Sequence, residues 1–189
     1  MNWDTIAVEH LAVVDQVFND LRPGIERLAD ELTGRLRAGG KVLVCGNGGS
    51  AADAQHIAGE LVNRFLRERK PYACIALTTD TSVLTAIGND YSYDQVFEKQ
   101  VQALGRAGDV LIAISTSGRA ANVLRAVAAA RAQGVVTVAL TGGTGGELAK
   151  AADHVLCVSC TRHTPRIQEG HLLIFHALCE LLEERMETA

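Results

Sequence analysis

His56 and Glu60 stand four residues apart in the stretch Gly46-Asn47-Gly48-Gly49-Ser50-Ala51-Ala52-Asp53-Ala54-Gln55-His56-Ile57-Ala58-Gly59-Glu60. On a helix that spacing places an imidazole and a carboxylate on one face, where they can move protons or hold a metal ion. The same spacing also suits a solvated ion pair on a helix surface. What precedes the pair shifts the balance: the apolar run Val42-Leu43-Val44-Cys45 leads into Gly46-Asn47-Gly48-Gly49-Ser50, which reads as strand, glycine turn and helix start. Such a turn presents backbone N–H groups and a positive helix end to an anion. One segment therefore offers a phosphate cradle and an acid-base or metal pair.

A second loop, Ser115-Thr116-Ser117-Gly118, follows Val110 to Ile114 and precedes a helix-like stretch from Ala120 to Ala132. An ordinary N-cap needs one hydroxyl, and three in a row beside exposed amides make a candidate phosphate site. His171 and His176 fall in the last apolar stretch. Their spacing of five puts them on different faces, and a histidine there can be a hydrogen-bonded core residue. Cys157-Val158-Ser159-Cys160, near His163, has the spacing of a zinc or redox pair, but no second cysteine pair accompanies it. It is read as a strand end. The first glycine loop also matches G-x-G-x-x-A, the dinucleotide fingerprint. That pattern wants an acidic residue about 20 positions on at the end of the second strand. Asp80 comes too late, and a long helix bearing His56 and Glu60 intervenes.

The elements that must position these residues follow from periodicity. Leu11, Val14, Phe18 and Leu21 form one helical stripe, Pro23-Gly24 interrupts it, and Ile25, Leu28, Leu32 and Leu36 form another that ends at Gly39-Gly40. Aliphatic runs at Val42–Cys45, Ala73–Leu77, Val110–Ile114 and Val135–Leu140 then alternate with helical stretches, and a fifth run spans His154 to Val158. Alternation of this kind predicts a parallel sheet covered on both faces, with ligands beyond the carboxyl ends of the strands. A closing helix is predicted from about Pro165 to Arg185. The 189 residues are read as one domain, 1–189, with an N-terminal helical extension over about 1–38.

Composition narrows the function classes. A net charge of −4 with 4% aromatic residues gives neither the field nor the stacking surface of a nucleic-acid binder. No apolar run approaches the roughly 20 residues of a membrane-spanning helix, and the N-terminus lacks a basic region followed by an apolar one. Five cysteines, odd in number and mostly in apolar runs, read as reduced thiols. A cytoplasmic protein with no nucleic-acid or membrane partner is expected.

With these residues assembled, the chain resembles the SIS (sugar isomerase) domain family and, within it, the phosphoheptose isomerases. The resemblance rests on Cys45 to His56, Ala86-Ile87-Gly88-Asn89-Asp90-Tyr91, Gly108 to Gly118 and Arg166-Ile167-Gln168-Glu169-Gly170-His171. It implies an α/β, flavodoxin-like three-layer sandwich with an open parallel sheet and an N-terminal helical pair. It also implies isomerisation of sedoheptulose 7-phosphate to D-glycero-D-manno-heptose 7-phosphate through an enediol, in heptose precursor biosynthesis. Zinc is implied on His56, Glu60, Gln168 and His176, with Glu60 and His176 catalytic. Substrate contacts are implied at Asn47, Gly48, Gly49, Glu60, Arg64, Asn89, Asp90, Ser115, Thr116, Ser117 and Gln168. A homotetramer with active sites at subunit interfaces is implied as well. Gln168 and His176 stand eight residues apart, about 12 Å along an ideal helix. One metal then requires an irregular segment, converging long side chains, or ligands from different chains. The sequence departs from the family at Arg119, often asparagine, and at Ala120, often serine. The alternative reading is a non-catalytic SIS protein, either binding a protein partner in the manner of the initiator-associating proteins that tether DnaA, or sensing a sugar phosphate.

Overall fold

The computed structural model describes residues 2–187; residues 1, 188 and 189 of the domain read from the sequence lie outside that range. The aliphatic runs form β1 (Val42–Gly46), β2 (Cys74–Ala76), β3 (Val110–Ser115), β4 (Val136–Gly142) and β5 (His154–Val158). All neighbours are parallel, in the order β2-β1-β3-β4-β5. β1 and β3 are buried at every position, which is why they read as unbroken apolar runs.

Successive side chains of a strand point to opposite faces, and each face has its own helical layer. Val42, Val44, Ile112, Ile114 and Leu140 pack under α1 (Trp3–Phe18), α2 (Arg22–Arg37), α3 (Gly49–Val62) and α8 (Thr164–Glu187). Leu43, Cys45, Leu111, Ala113 and Ala139 pack under the other layer, α4 (Thr81–Asp90), α5 (Val96–Leu104), α6 (Ala121–Ala132) and α7 (Gly146–Ala151), with a 3-10 turn at Tyr93–Gln95. The result is the expected three-layer α/β sandwich with a leading helical pair. None of the helices is long and apolar enough to cross a membrane, among the described residues.

The buried face of α1 is not the predicted stripe. α1 buries Val13, Gln16 and Val17, whereas Leu11 and Phe18 are 66% and 50% exposed and Val14 also faces out. Two apolar stripes run along this helix one step apart, so periodicity alone admits two rotations. The core selects Val13 and Val17, and Gln16 locks the choice by accepting the Ser159 and Cys160 N–H groups at 3.0 and 3.1 Å. α2 follows the predicted stripe, burying Ile25, Leu28 and Leu32.

The strand order reverses between β1 and β3, because β1 leads outward to β2 while β3 leads to β4 and β5 on the other side. Loops leaving adjacent strands in opposite directions open a crevice at such a switch point. Both motif loops, after Gly46 and after Ser115, emerge there, with Gly46 in register with Ile114.

Candidate active site

The turn after β1 is shaped by its glycines. Gly48 has φ +56°, a left-handed value that strains other residues, and it caps α3 with no side-chain bond. A Cβ on Gly49 would lie 1.8 Å from Nε2 of Gln168, so the Gln168 amide fills the space this glycine leaves. Asn47 is engaged within the chain. Its amide and that of Asn122 exchange two hydrogen bonds of 2.9 Å, and the Tyr93 hydroxyl donates to Asn47 Oδ1 at 3.3 Å. This brace crosses the β1–β3 crevice. Asn122 and Tyr93 were not singled out from the sequence, yet Asn122 had a signal: it shares a buried helical face with Ala126 and Ala130. A polar group at such a position needs a partner.

Further along α3, His56 Nε2 and Glu60 Oε1 lie 3.0 Å apart. The His176 ring of α8 meets the His56 ring edge-on, with centroids 5.3 Å apart and an interplanar angle of 78°. Phe65 covers His176 from another side, also at 5.3 Å. Asp53, one turn before His56, has a buried Oδ2 without a hydrogen-bond partner. Burial raises its carboxyl pKa against the pull of His56.

α8 is a regular helix through both Gln168 and His176, which removes the irregular-segment option. Gln168 meets α3 at Gly49 and His176 meets it at His56, so the two helices run alongside each other for about two turns. Two imidazoles, a carboxylate and an amide form a donor set chemically suited to zinc. Among the described residues, however, no three His, Cys, Asp or Glu side chains converge as a metal-binding group.

The segment after α3 is fixed by a buried carboxylate. Glu183 accepts the N–H groups of Phe65, Leu66 and Arg67, each at 2.9 Å, and pairs with Arg69 at 3.0 Å, both side chains being nearly inaccessible. Burial opposes the charge on Glu183, but these bonds outweigh it and hold the pKa below the usual carboxylate value. Arg69 donates in turn to the Glu60 and Leu61 carbonyls at 2.7 and 3.0 Å. The pair thus positions both Phe65 and the end of the helix bearing Glu60. Arg64 reaches Glu68 at 3.5 Å.

On the other side of the crevice, the helix after Ser115-Thr116-Ser117 is capped at Ala120 without any side-chain bond. The hydroxyl loop is therefore not an N-cap. Ser117 Oγ accepts the Arg119 N–H at 3.3 Å, and Thr116 and Ser117 line a cavity of about 270 Å³. Asn89 and Asp90 are exposed at the end of α4 and bond each other at 2.8 Å. Among the described residues no hydrogen bond ties Asn89, Asp90 or Arg64 to His56, Glu60 or the hydroxyl loop. Cys157 and Cys160 carry free thiols whose pKa values are raised by burial, which fits the strand-end reading.

An open parallel sheet of order 2-1-3-4-5 is a flavodoxin-like architecture common to several α/β families, and the sequence model of the SIS domain, which matches residues 8–142, selects one of them. The phosphoheptose isomerase of Rhodospirillum rubrum is 54% identical over 167 residues, covering 88% of each chain. Solved structures of phosphoheptose isomerases from Neisseria gonorrhoeae and Francisella tularensis superpose with TM-scores of 0.90 and 0.92, at 46% and 41% identity over 96% of both chains. The chain belongs to the phosphoheptose isomerase family.

Proposed function

We propose that the chain interconverts sedoheptulose 7-phosphate and D-glycero-D-manno-heptose 7-phosphate, in heptose precursor biosynthesis. The observation that carries this reading is the His56–Glu60 pair, with His176 against it, standing across one crevice from an uncapped hydroxyl loop. Moving a carbonyl from C2 to C1 requires loss of a proton from C1 and delivery of one to C2 through an enediol. The Glu60 carboxylate takes the C1 proton, and the His176 imidazole handles the proton moving between the hydroxyl and carbonyl oxygens. The exchanged assignment, with His176 as base, is separated from this one by the pH–rate profiles of the two variants. Ser115, Thr116 and Ser117 hold the phosphate, fixing the sugar chain so that its reacting end reaches the α3–α8 contact.

His56, Glu60, Gln168 and His176 are the residues that would hold zinc. A bound zinc ion supplies Lewis-acid polarisation of the carbonyl oxygen. A carboxylate engaged by a metal would be a weaker base, so tight zinc ligation by Glu60 would favour the exchanged assignment, with His176 as base.

Assembly as a homotetramer with interface active sites is part of the proposal. Trp3, Val8, Leu11 and Phe18 leave an apolar face on α1 exposed. A groove of about 590 Å³, lined by Phe18, Leu173 and Ala177, has His176 in its wall. A second copy seated there would exclude water from His176. The five free cysteines support a reducing, cytoplasmic location. Purified protein assayed with sedoheptulose 7-phosphate beside six-carbon ketose phosphates, with and without chelator, tests substrate and metal together, and sedimentation tests the assembly. Activity abolished by chelator and restored by zinc is the expected result. Turnover indifferent to chelation would remove the metal from the scheme.

A further inference from the structure

The cavity of about 270 Å³ beyond the carboxyl ends of β3, β4 and β5 is built from three loops. Thr116, Ser117 and Arg119 come from the β3–α6 loop, Thr144 from the β4–α7 loop, and Arg162 and Thr164 from the approach to α8. Its lining holds two guanidinium groups and no carboxylate. Among the described residues, neither guanidinium has an ion pair or hydrogen bond, and the Thr116, Thr144 and Thr164 hydroxyls are likewise unbonded. Elsewhere Arg22, Arg125 and Arg131 each pair with a carboxylate, and Arg27 and Arg106, unpaired among the described residues, share their cavity with Asp30, Glu31 and Asp109. Two uncompensated forks sharing one cavity with unbonded hydroxyls form a receptor for a multiply charged oxyanion, since a guanidinium matches two oxygens at once.

The cavity adjoins the reacting end of the site through α8. Ile167 lines the cavity, and the next residue, Gln168, packs on Gly49 at the start of α3. A ligand held by its phosphate here can therefore extend past the first turn of α8 toward His56 and Glu60. We propose that Arg119, from the loop that carries the Thr116 and Ser117 hydroxyls, and Arg162, from the approach to α8, clamp the phosphate of the sugar-phosphate substrate in this cavity, making them specificity-determining residues for a phosphorylated ligand. The proposal rests on the isomerase reading for its substrate, but the anion site stands on the cavity itself.

The test uses the intact protein, the variants Arg119→Ala, Arg162→Ala and the double variant, with Arg119→Lys and Arg162→Lys as charge-retaining controls. Two readouts are taken: steady-state kinetics with sedoheptulose 7-phosphate, and calorimetric titration with inorganic phosphate. Each alanine variant is expected to raise KM about tenfold with kcat little changed, as loss of a charge-assisted bond implies. The dissociation constant for phosphate should weaken in parallel, with the lysine variants falling between. Unchanged KM and unchanged phosphate affinity in the double variant would overturn the clamp, as would a fall in kcat alone. If the parent protein shows no isomerase activity, the isomerase reading fails by itself. The phosphate titration then still decides the clamp, since affinity lost in the double variant upholds it and affinity retained overturns it.

Discussion

The two sides of the β1–β3 crevice differ in how their polar groups are engaged. On the α3–α8 side, His56 bonds Glu60, His176 packs against His56 and Phe65, and Arg69 holds the Glu60 carbonyl. On the β3–β4–β5 side, the helix start is uncapped and the Arg119 and Arg162 side chains have no partner among the described residues. One side is organised by the chain itself, as the proton transfer proposed for it requires. The other leaves its donors open for an anion to complete. The contrast separates the kinetic parameters: changes on the first side should act on kcat, and changes on the second on KM.

The largest effect expected from this contrast is at the proton-transfer pair. Glu60→Gln keeps size and hydrogen bonding but removes the proposed base, and kcat should fall by about 10²–10⁴-fold, with KM changing far less. His176→Asn should behave alike. A Glu60→Gln enzyme with undiminished kcat would dissolve the distinction between the two sides.

Next comes the support beneath the first side. Glu183→Gln leaves Arg69 buried without its counter-charge and weakens the bonds holding Phe65 to Arg67. Removing one partner of a buried pair costs roughly 3–5 kcal/mol, measurable by urea unfolding. A loss below about 1 kcal/mol would mean that the 63–70 segment is held by something other than this carboxylate.

The two sides are joined through His171, which lies on α8 between Gln168 and His176 and bonds the Thr141 carbonyl at the end of β4 at 3.0 Å. Burial pushes its pKa down from 6.5 to about 4, although the bond to Thr141 acts the other way. The unfolded chain therefore binds more protons in this interval. Stability from His171 is fully present above pH 6.5 and is lost as pH falls toward 4. The shift corresponds to at most about 3 kcal/mol. Unfolding measured across this range should show the decline, and a His171→Gln protein, less stable at neutral pH, should show a flatter profile. Equal slopes in both proteins would assign the acid sensitivity to other groups.

Much of this was legible in the sequence, and the exceptions share a cause. The strands were readable because two helical layers bury them on both faces, so composition alone marks Val42–Cys45 and Val110–Ile114. His56 and Glu60 were readable because their geometry is local to one helix. The rotation of α1 was not, since Val13 and Leu11 belong to competing stripes and only tertiary contact chooses between them. Asn122 and Glu183 escaped for a related reason: each is a polar residue on an apolar helical face, and its partner lies 75 or 114 positions away. Neither distance leaves a local pattern, but a polar residue in a buried stripe is itself a cue that a bonded partner exists.

The smallest effect concerns Ala120. Ala120→Ser adds a hydroxyl beside the Ser115–Ser117 loop, worth at most about 1 kcal/mol, and KM should drop by no more than about fivefold with kcat unchanged. A larger gain would mean that the arginines do not already supply that anchoring.

The central claim is that the His56–Glu60–His176 arrangement performs the isomerisation. It is tested most directly by following conversion of sedoheptulose 7-phosphate by zinc-supplemented parent protein and Glu60→Gln side by side. The account predicts an aldose heptose 7-phosphate from the parent and almost none from the variant. No aldose at high concentrations of the parent protein, or equal rates from both, would contradict it.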